Sequence, residues 1–386
     1  LHDIQPTHAL KLLLTFDKFR GSLTAHQACQ AFAEGVREVL PNASIVERPL
    51  SDGGEQSARL LTEAFGGQWQ RTQARNPLGQ HVQAGWGWLS SRQTAVLDMA
   101  EAAGQQRLEA GTKQPMRAST QGVGDLLSEA LQAGARQIWL GLGGSATQDC
   151  GLGMAEALGW RFYDATGALV KPTPWNMTQI SEAEAPQAFA GGFPAQVTAL
   201  CDVRHKLLGE NGARAFARQK GGSLGQRRLL EAGLHAFSRL MHRKGRGELR
   251  YPPGSGAAGG LGAGAAFFLD AELCNGAAFI SEVLELDKLI EQAGHVVAGE
   301  GRLDAASFRG KAVGEVALRC ERLGKPLHLV VGQNQIPENE LHQRRIIRSC
   351  HSLSSDPVNV AYSIAQGFAL MKNLGCHWAY KLAKNQ

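Results

Sequence analysis

Short apolar runs that each end in a loop of acids and glycines recur along this chain, and that recurrence constrains its fold more than any other feature. Leu12 to Phe16 runs into Asp17-Lys-Phe-Arg-Gly-Ser22, Ile45 to Pro49 into Ser51-Asp-Gly-Gly-Glu55, and Ile138 to Leu142 into Gly143-Gly-Ser-Ala-Thr-Gln-Asp149. Gln196 to Leu200 ends at Cys201-Asp202, and His295 to Ala298 at Gly299-Glu-Gly-Arg-Leu-Asp304. Apolar runs of strand length that alternate with helical spacing belong to parallel sheets covered on both faces. In such sheets ligands bind beyond the carboxyl ends of the strands, where these loops lie.

At 386 residues the chain exceeds what one core usually organises, which predicts two domains. The opening reads strand, helix from about Thr24 to Leu40, strand, helix ending near Gly66. From Gln68 to Met99 the pattern changes to alternation around Trp69, Val82, Trp86 and Trp88, with turns at Asn76-Pro-Leu-Gly79 and Ser90-Ser91, as in antiparallel hairpins. Strand and helix alternate again from Thr120, the stretch from Pro172 to Pro194 reads as an irregular surface excursion, and a helix from about Leu224 to Lys244 leads to the run Gly254 to Gly264. Strands at Leu327 to Val331 and Arg345 to Ser349 and a long amphipathic stretch from Val358 return to the opening rhythm. The expected architecture is α/β: a doubly wound Rossmann- or flavodoxin-like domain from residues 1–66 and 287–386, with an inserted α/β domain at 67–286.

Composition excludes several classes. The net charge of +5 comes from scattered basic residues, and the dense cluster Arg344, Arg345 and Arg348 reads as a solvated edge, so no nucleic-acid partner is expected. Seven widely spaced cysteines, odd in number and without a C-x-x-C pair, argue against a disulfide framework or zinc site and for a reducing, cytoplasmic setting. Leu1 to Leu10 has no signal-peptide pattern, and no stretch approaches the roughly 18 apolar residues of a membrane span. The twelve histidines show no metal-ligand spacing, with His26 and His235 reading as helix-surface residues, and no G-x-S-x-G elbow is present.

Phosphoryl transfer needs amides and cations around the phosphates, carboxylates for magnesium, and a group that orients the acceptor hydroxyl. The strand-end loops supply those parts together, although Asp52 taken singly reads equally as a turn residue and Asp17 as a helix cap. Glycines at Gly143 and Gly144, placed directly before a helix, are expected to bare amides for an anion. The loop Gly254-Ser-Gly-Ala-Ala-Gly-Gly260 reads either as a second ligand loop or as close helix packing. Neither is the P-loop G-x-x-x-x-G-K-[ST]. A competing pattern is Gly141-Leu-Gly-Gly-Ser-Ala146, which fits G-x-G-x-x-A with Asp164 near the distance of a ribose-binding acid and would indicate a nicotinamide-dependent oxidoreductase.

In order and spacing these blocks resemble the bacterial glycerate kinase family, of the glycerate 2-kinase type, across nearly the whole chain. Asp17 to Ser22 is similar to that family's D-S-F-K-G-S, and Ser51 to Glu55 to its A-D-G-G-E. Pro77-Leu-Gly79, Met99-Ala-Glu-Ala-Ala-Gly104, Ser119-Thr-Gln-Gly-Val-Gly124, Gly143 to Asp149, Cys201-Asp-Val203, Asn211-Gly-Ala213, Gln219-Lys-Gly221, Gly256-Ala-Ala-Gly-Gly260, Gly299 to Asp304 and Gly310-Lys311 follow in order. The resemblance implies ATP and Mg2+ as cofactors, D-glycerate as acceptor, 2-phosphoglycerate or 3-phosphoglycerate as product, and an active site in the cleft between two domains, with a homodimer left open. It implies Asp202, Arg20, Lys220 and Asp17 as catalytic residues, with Asp202 orienting or deprotonating the hydroxyl and Arg20 and Lys220 holding phosphate and carboxylate. Gly143, Gly144, Ser145, Ala146, Thr147, Gly299, Glu300, Gly301, Arg302, Asp304 and Lys311 fall to the nucleotide, Asp304 and Glu300 also to magnesium, and Asp52, Gly53, Gly54, Glu55, Gly259 and Gly260 to the acceptor.

The chain departs from the family pattern at its ligand loops. Lys18 stands for serine, Arg20 for lysine, Gln56 and Cys150 for glycines, Gln148 for asparagine and Arg218 for proline. A related small hydroxy acid or a polyol phosphate is therefore an alternative acceptor, and a homologue that binds nucleotide without turnover is the non-enzyme alternative.

Overall fold

The computed structural model describes residues 10–109, 111–353 and 360–384. These residues cluster into two compact units, one from the described parts of Leu1–Asp52 and Ala277–Gln386, the other from Gly53–Gly276. Both are α/β.

In the first unit five parallel strands lie in the order Ile347–Ser352, Leu327–Val331, His295–Gly299, Lys11–Phe16, Ser44–Glu47. Numbered along the unit this is 2-1-3-4-5, the flavodoxin-like order, whose topological switch falls between Lys11–Phe16 and His295–Gly299. Helices cover the sheet, which is why Leu12, Leu13 and Leu14 are buried in succession without alternation. Helix Ala25–Val39 starts at a capping box in which Thr24 and Gln27 satisfy each other's amides. It lies against helix Gly367–Lys384, with Phe32 packed on Trp378 at a ring separation of 5.8 Å. Gly35 and Gly375 mark the closest approach, since a Cβ on either would strike the backbone of the other helix.

The second unit is built on a mixed sheet in the order Glu272–Asn275, Gln196–Cys201, Gln137–Gly141, Thr94–Asp98, His81–Leu89, Gln68–Arg75. The first four are parallel and the last two are the expected antiparallel hairpin, on which Trp86 and Trp88 meet edge to face at 6.2 Å.

Several elements differ from the sequence expectation. Residues 53–66, expected with the chain ends, pack in the second unit, because helix Ser57–Ala64 buries Leu60 and Leu61 there and the Ala58 amide donates to the Asp98 carboxylate at 3.1 Å. Residues 277–286 fall with the first unit instead of the inserted one. The excursion at 172–194 is more ordered than its prolines suggest: strand Glu182–Glu184 pairs antiparallel with Arg161–Tyr163. The last strand begins at Ile347, two residues after the expected start. Of the amphipathic stretch from Val358, residues 358 and 359 lie outside the described residues, and helices Val360–Ala365 and Gly367–Lys384 form the rest. Among the described residues no helix is long and apolar enough to cross a membrane, and all seven cysteines are free.

Candidate active site

The first unit gathers charged side chains at its switch point. Asp17 follows strand Lys11–Phe16 directly, its amide donates to the Gly299 carbonyl at 2.9 Å, and its residue is only 7% exposed. Gly301 seats against the backbone of Phe19 and Arg20, so the loops after the two central strands touch. Burial pushes the Asp17 carboxyl up to about 6 against the opposing pull of Lys18, with the Asp52 charge adding to the rise. Glu300 is pushed up to about 7, first by burial, with Ser307 and Lys311 pulling it down and Asp17 and Asp52 pushing it further up. One of its oxygens, Oε1, is buried without a hydrogen-bond partner. Lys18 Nζ lies 3.9 Å from Asp17 Oδ1 and 3.8 Å from Asp52 Oδ1. Lys311 stands at the start of helix Ala312–Leu323 without a side-chain cap hydrogen bond, and Asp304 Oδ1 accepts the Ala306 amide at 2.8 Å. Arg20 and Arg302 are exposed at the rim of these loops.

The second unit sets a buried cation against a loop flanked by glycines. Lys220 is 5% exposed, and its ammonium donates to Ser145 Oγ and to the Thr147 carbonyl, both at 2.7 Å. Both partners are neutral, and among the described residues Lys220 makes no ion pair. Burial holds it well below the usual lysine range, at about 7, with the Asp149 and Asp202 charges opposing. Gly143 packs on Gly54, and a Cβ at Gly144 would run into Glu55. On the other side Gly259 abuts Thr147 O, and Ala258, Gly259 and Gly260 all take left-handed backbone with φ of 52°, 69° and 91°. The loops 53–55 and Ala258–Gly260 thus both meet the loop Gly143–Thr147, to which Lys220 donates, while Asp202 follows strand Gln196–Cys201 near enough to act on Lys220. Thr147 Oγ1 and Gln148 Oε1 are buried without partners.

Two expectations are corrected here. The glycine loop does not run straight into a helix: Leu152–Ala157 begins five residues after Thr147, and the amides at its start are taken, Gly151 and Gly153 donating to Asp149 and Met154 to Thr120 Oγ1. Whatever Gly143 and Gly144 hold, a helix dipole does not hold it for them. Asp164 is no ribose acid, because its Oδ1 accepts from Thr166 N, Thr166 Oγ1 and Ala168 N and so closes an exposed turn, which removes the oxidoreductase pattern. Among the described residues no group of three His, Cys, Asp or Glu side chains could hold a metal ion.

Two residues were missed. Asp149, fully buried, accepts from Thr120 N at 2.8 Å, Thr120 Oγ1 at 2.9 Å and the amides of Gly151 and Gly153, which ties the loop to its helix, and burial raises its carboxyl. Its place at the end of a glycine loop was the available signal. Lys18 was noted only as a departure, and nothing in the sequence shows that it reaches two acids.

Known proteins share this sequence pattern and fold. A family model described as Glycerate kinase family matches residues 12–381. The chain is 34% identical over 322 residues to a glycerate kinase of Halalkalibacterium halodurans, covering 83% of this chain and 85% of that one. It is 32% identical over 338 residues to the glycerate 2-kinase of Escherichia coli, covering 87% and 89%. A crystal structure from Salmonella typhimurium LT2, described as "putative glycerate kinase 2", superposes with a TM-score of 0.84 at 28% identity over 98% of this chain and all of that one. Fold and likeness together define a two-domain α/β kinase. The chain belongs to the glycerate kinase family.

Proposed function

We propose that this kinase moves the terminal phosphoryl group of ATP to a hydroxyl of D-glycerate, with 2-phosphoglycerate as product. The observation that carries this reading is Lys220: a buried ammonium with two neutral hydrogen-bond partners and, among the described residues, no ion pair is costly to bury unless an anion completes it. A phosphate or the glycerate carboxylate is such an anion. The E. coli relative's description as a glycerate 2-kinase supports the 2-position.

Phosphoryl transfer passes through a loose transition state whose charge spreads over the equatorial oxygens, so placed cations and amides do most of the work. In this reading Lys220 and the exposed Arg20 supply the cations, Gly143–Thr147, Gly299–Arg302, Asp304 and Lys311 hold ATP, and 52–55 with Gly259 and Gly260 hold glycerate. Asp202 orients the acceptor hydroxyl and takes its proton, and Asp17 is the buried acid at the switch point. Asp304 and Glu300 would hold magnesium, whose charge would offset that of the phosphates. The free cysteines support a reducing, cytoplasmic setting.

A coupled assay of ADP release, with the product resolved by phosphorus NMR, tests the reaction. D-glycerate should give 2-phosphoglycerate; 3-phosphoglycerate would move the acceptor position, and turnover on another hydroxy acid alone would replace the substrate. Asp202→Asn should lower kcat about 10²- to 10⁴-fold with an unchanged circular dichroism spectrum, and near-normal kcat would refute its role.

A further inference from the structure

We propose that Lys18 is a positioning residue that holds the Asp17 and Asp52 carboxylates as one charged set, so that removing its ammonium drives a proton onto that set and switches off the enzyme at mildly acidic pH. The proposal deepens the reading above, and it rests on geometry. Asp17 and Asp52 follow adjacent parallel strands, which brings their carboxylates to the same end of the sheet. Lys18 reaches both, at 3.9 and 3.8 Å, and the three side chains are only 9 to 16% exposed, so water screens the set little. The Lys18 amide also donates to Asp17 Oδ1 at 2.7 Å, which fixes the carboxylate toward its own side chain.

Around them stand Glu300, from the end of the neighbouring strand, and Lys311, from the start of helix Ala312–Leu323. Removing Lys18 takes away the ammonium that the Asp17 and Asp52 carboxylates share, and like charges at close range do not all stay ionised. Burial already lifts Asp17, and the Lys18 charge is the largest influence opposing that rise. An ammonium on a four-carbon stem is suited to serve two acids at once.

The test is Lys18→Met beside Lys18→Arg, with Lys18→Gln read in place of Met if circular dichroism shows that Met disturbs the fold. In protein labelled with carbon-13 at aspartate carboxyls, with Asp17 assigned through Asp17→Asn, the Met variant should move the Asp17 titration up by about one pH unit or more, and Arg by less than half as much. In glycerate phosphorylation the acid limb of kcat/KM should move up likewise, with a loss of about tenfold at pH 6 and little loss at pH 8.5. An unmoved Asp17 titration, a uniform loss across pH, or an Arg variant that behaves like Met would overturn the proposal. If the wild type phosphorylates no glycerate, the reading of the reaction fails, while the carboxyl titration still decides the role of Lys18.

Discussion

The two units build their polar loops by opposite means. In the first, charged side chains from several loops share one end of the sheet, and Lys18 is the link between Asp17 and Asp52. In the second, backbone meets backbone: Gly143 on Gly54 and Gly259 on Thr147 leave no room for a methyl group, and Lys220 donates to Ser145 and Thr147 of the same loop. A site made of charge tolerates changes of shape and is sensitive to pH, whereas a site made of packed backbone is sensitive to a single carbon.

The contrast is broken most directly at Gly259. Gly259→Ala puts a Cβ onto Thr147 O at a φ of +69°, which should cost about 3 to 5 kcal/mol and most of the activity, read by urea unfolding and ADP release. A fully active, equally stable variant would show that the glycine loops are not so tightly joined. Lys220→Met should lower kcat/KM about 10³-fold and still fold, because it removes a buried charge that has no ion pair. Its stability should also lose a slope: folded Lys220 releases its proton near 7 and the unfolded side chain near 10.5, so the unfolded chain binds more protons between them and wild-type stability rises with pH by up to about 1.4 kcal/mol per unit.

Glu300→Gln sharpens the comparison with a slope of the opposite sign. Glu300 titrates at about 7 folded and about 4.5 unfolded, so the folded chain binds more protons in that window and stability falls as pH rises through it. The variant should flatten that fall, and melting temperatures from pH 4.5 to 8 measure it. The smallest effect is at Gln56, an exposed residue with φ of 72°, where Gln56→Gly should gain up to about 1 kcal/mol in thermal or urea unfolding. Cys150, at φ of 53°, is the second non-glycine where the family pattern has glycine, but it is buried against Gly260, so its removal would also leave a gap.

The same contrast explains what was legible in the sequence. The strand ends Asp17, Asp202 and Gly299 were readable because a buried parallel strand is a continuous apolar run and the loop after it breaks the run sharply. The hairpin at Gln68–Leu89 was readable from its alternation. Helix Ser57–Ala64 was placed in the wrong unit because its amphipathic pattern shows that it packs, not on which sheet. The loop ending at Gly260 was legible from its glycines, but the left-handed φ of Ala258 was not, since φ there is set by the loop it meets. Pairings across strands were equally invisible: His295 meets His328 at 3.1 Å and His328 meets Ser349 at 3.0 Å only because the strands lie side by side.

The glycine contact between helices Ala25–Val39 and Gly367–Lys384 has a consequence for biosynthesis. The ribosome delivers the earlier helix, with its apolar face bearing Phe32, long before it makes the Trp378 that covers that face. The unit spanning Gly53–Gly276 is contiguous and can close during translation, whereas its neighbour must wait for the late-made helix. Stalled nascent chains that end near residue 300 should therefore resist brief proteolysis within 53–276 and be cut within 25–39, and equal protection of both would contradict that order of folding.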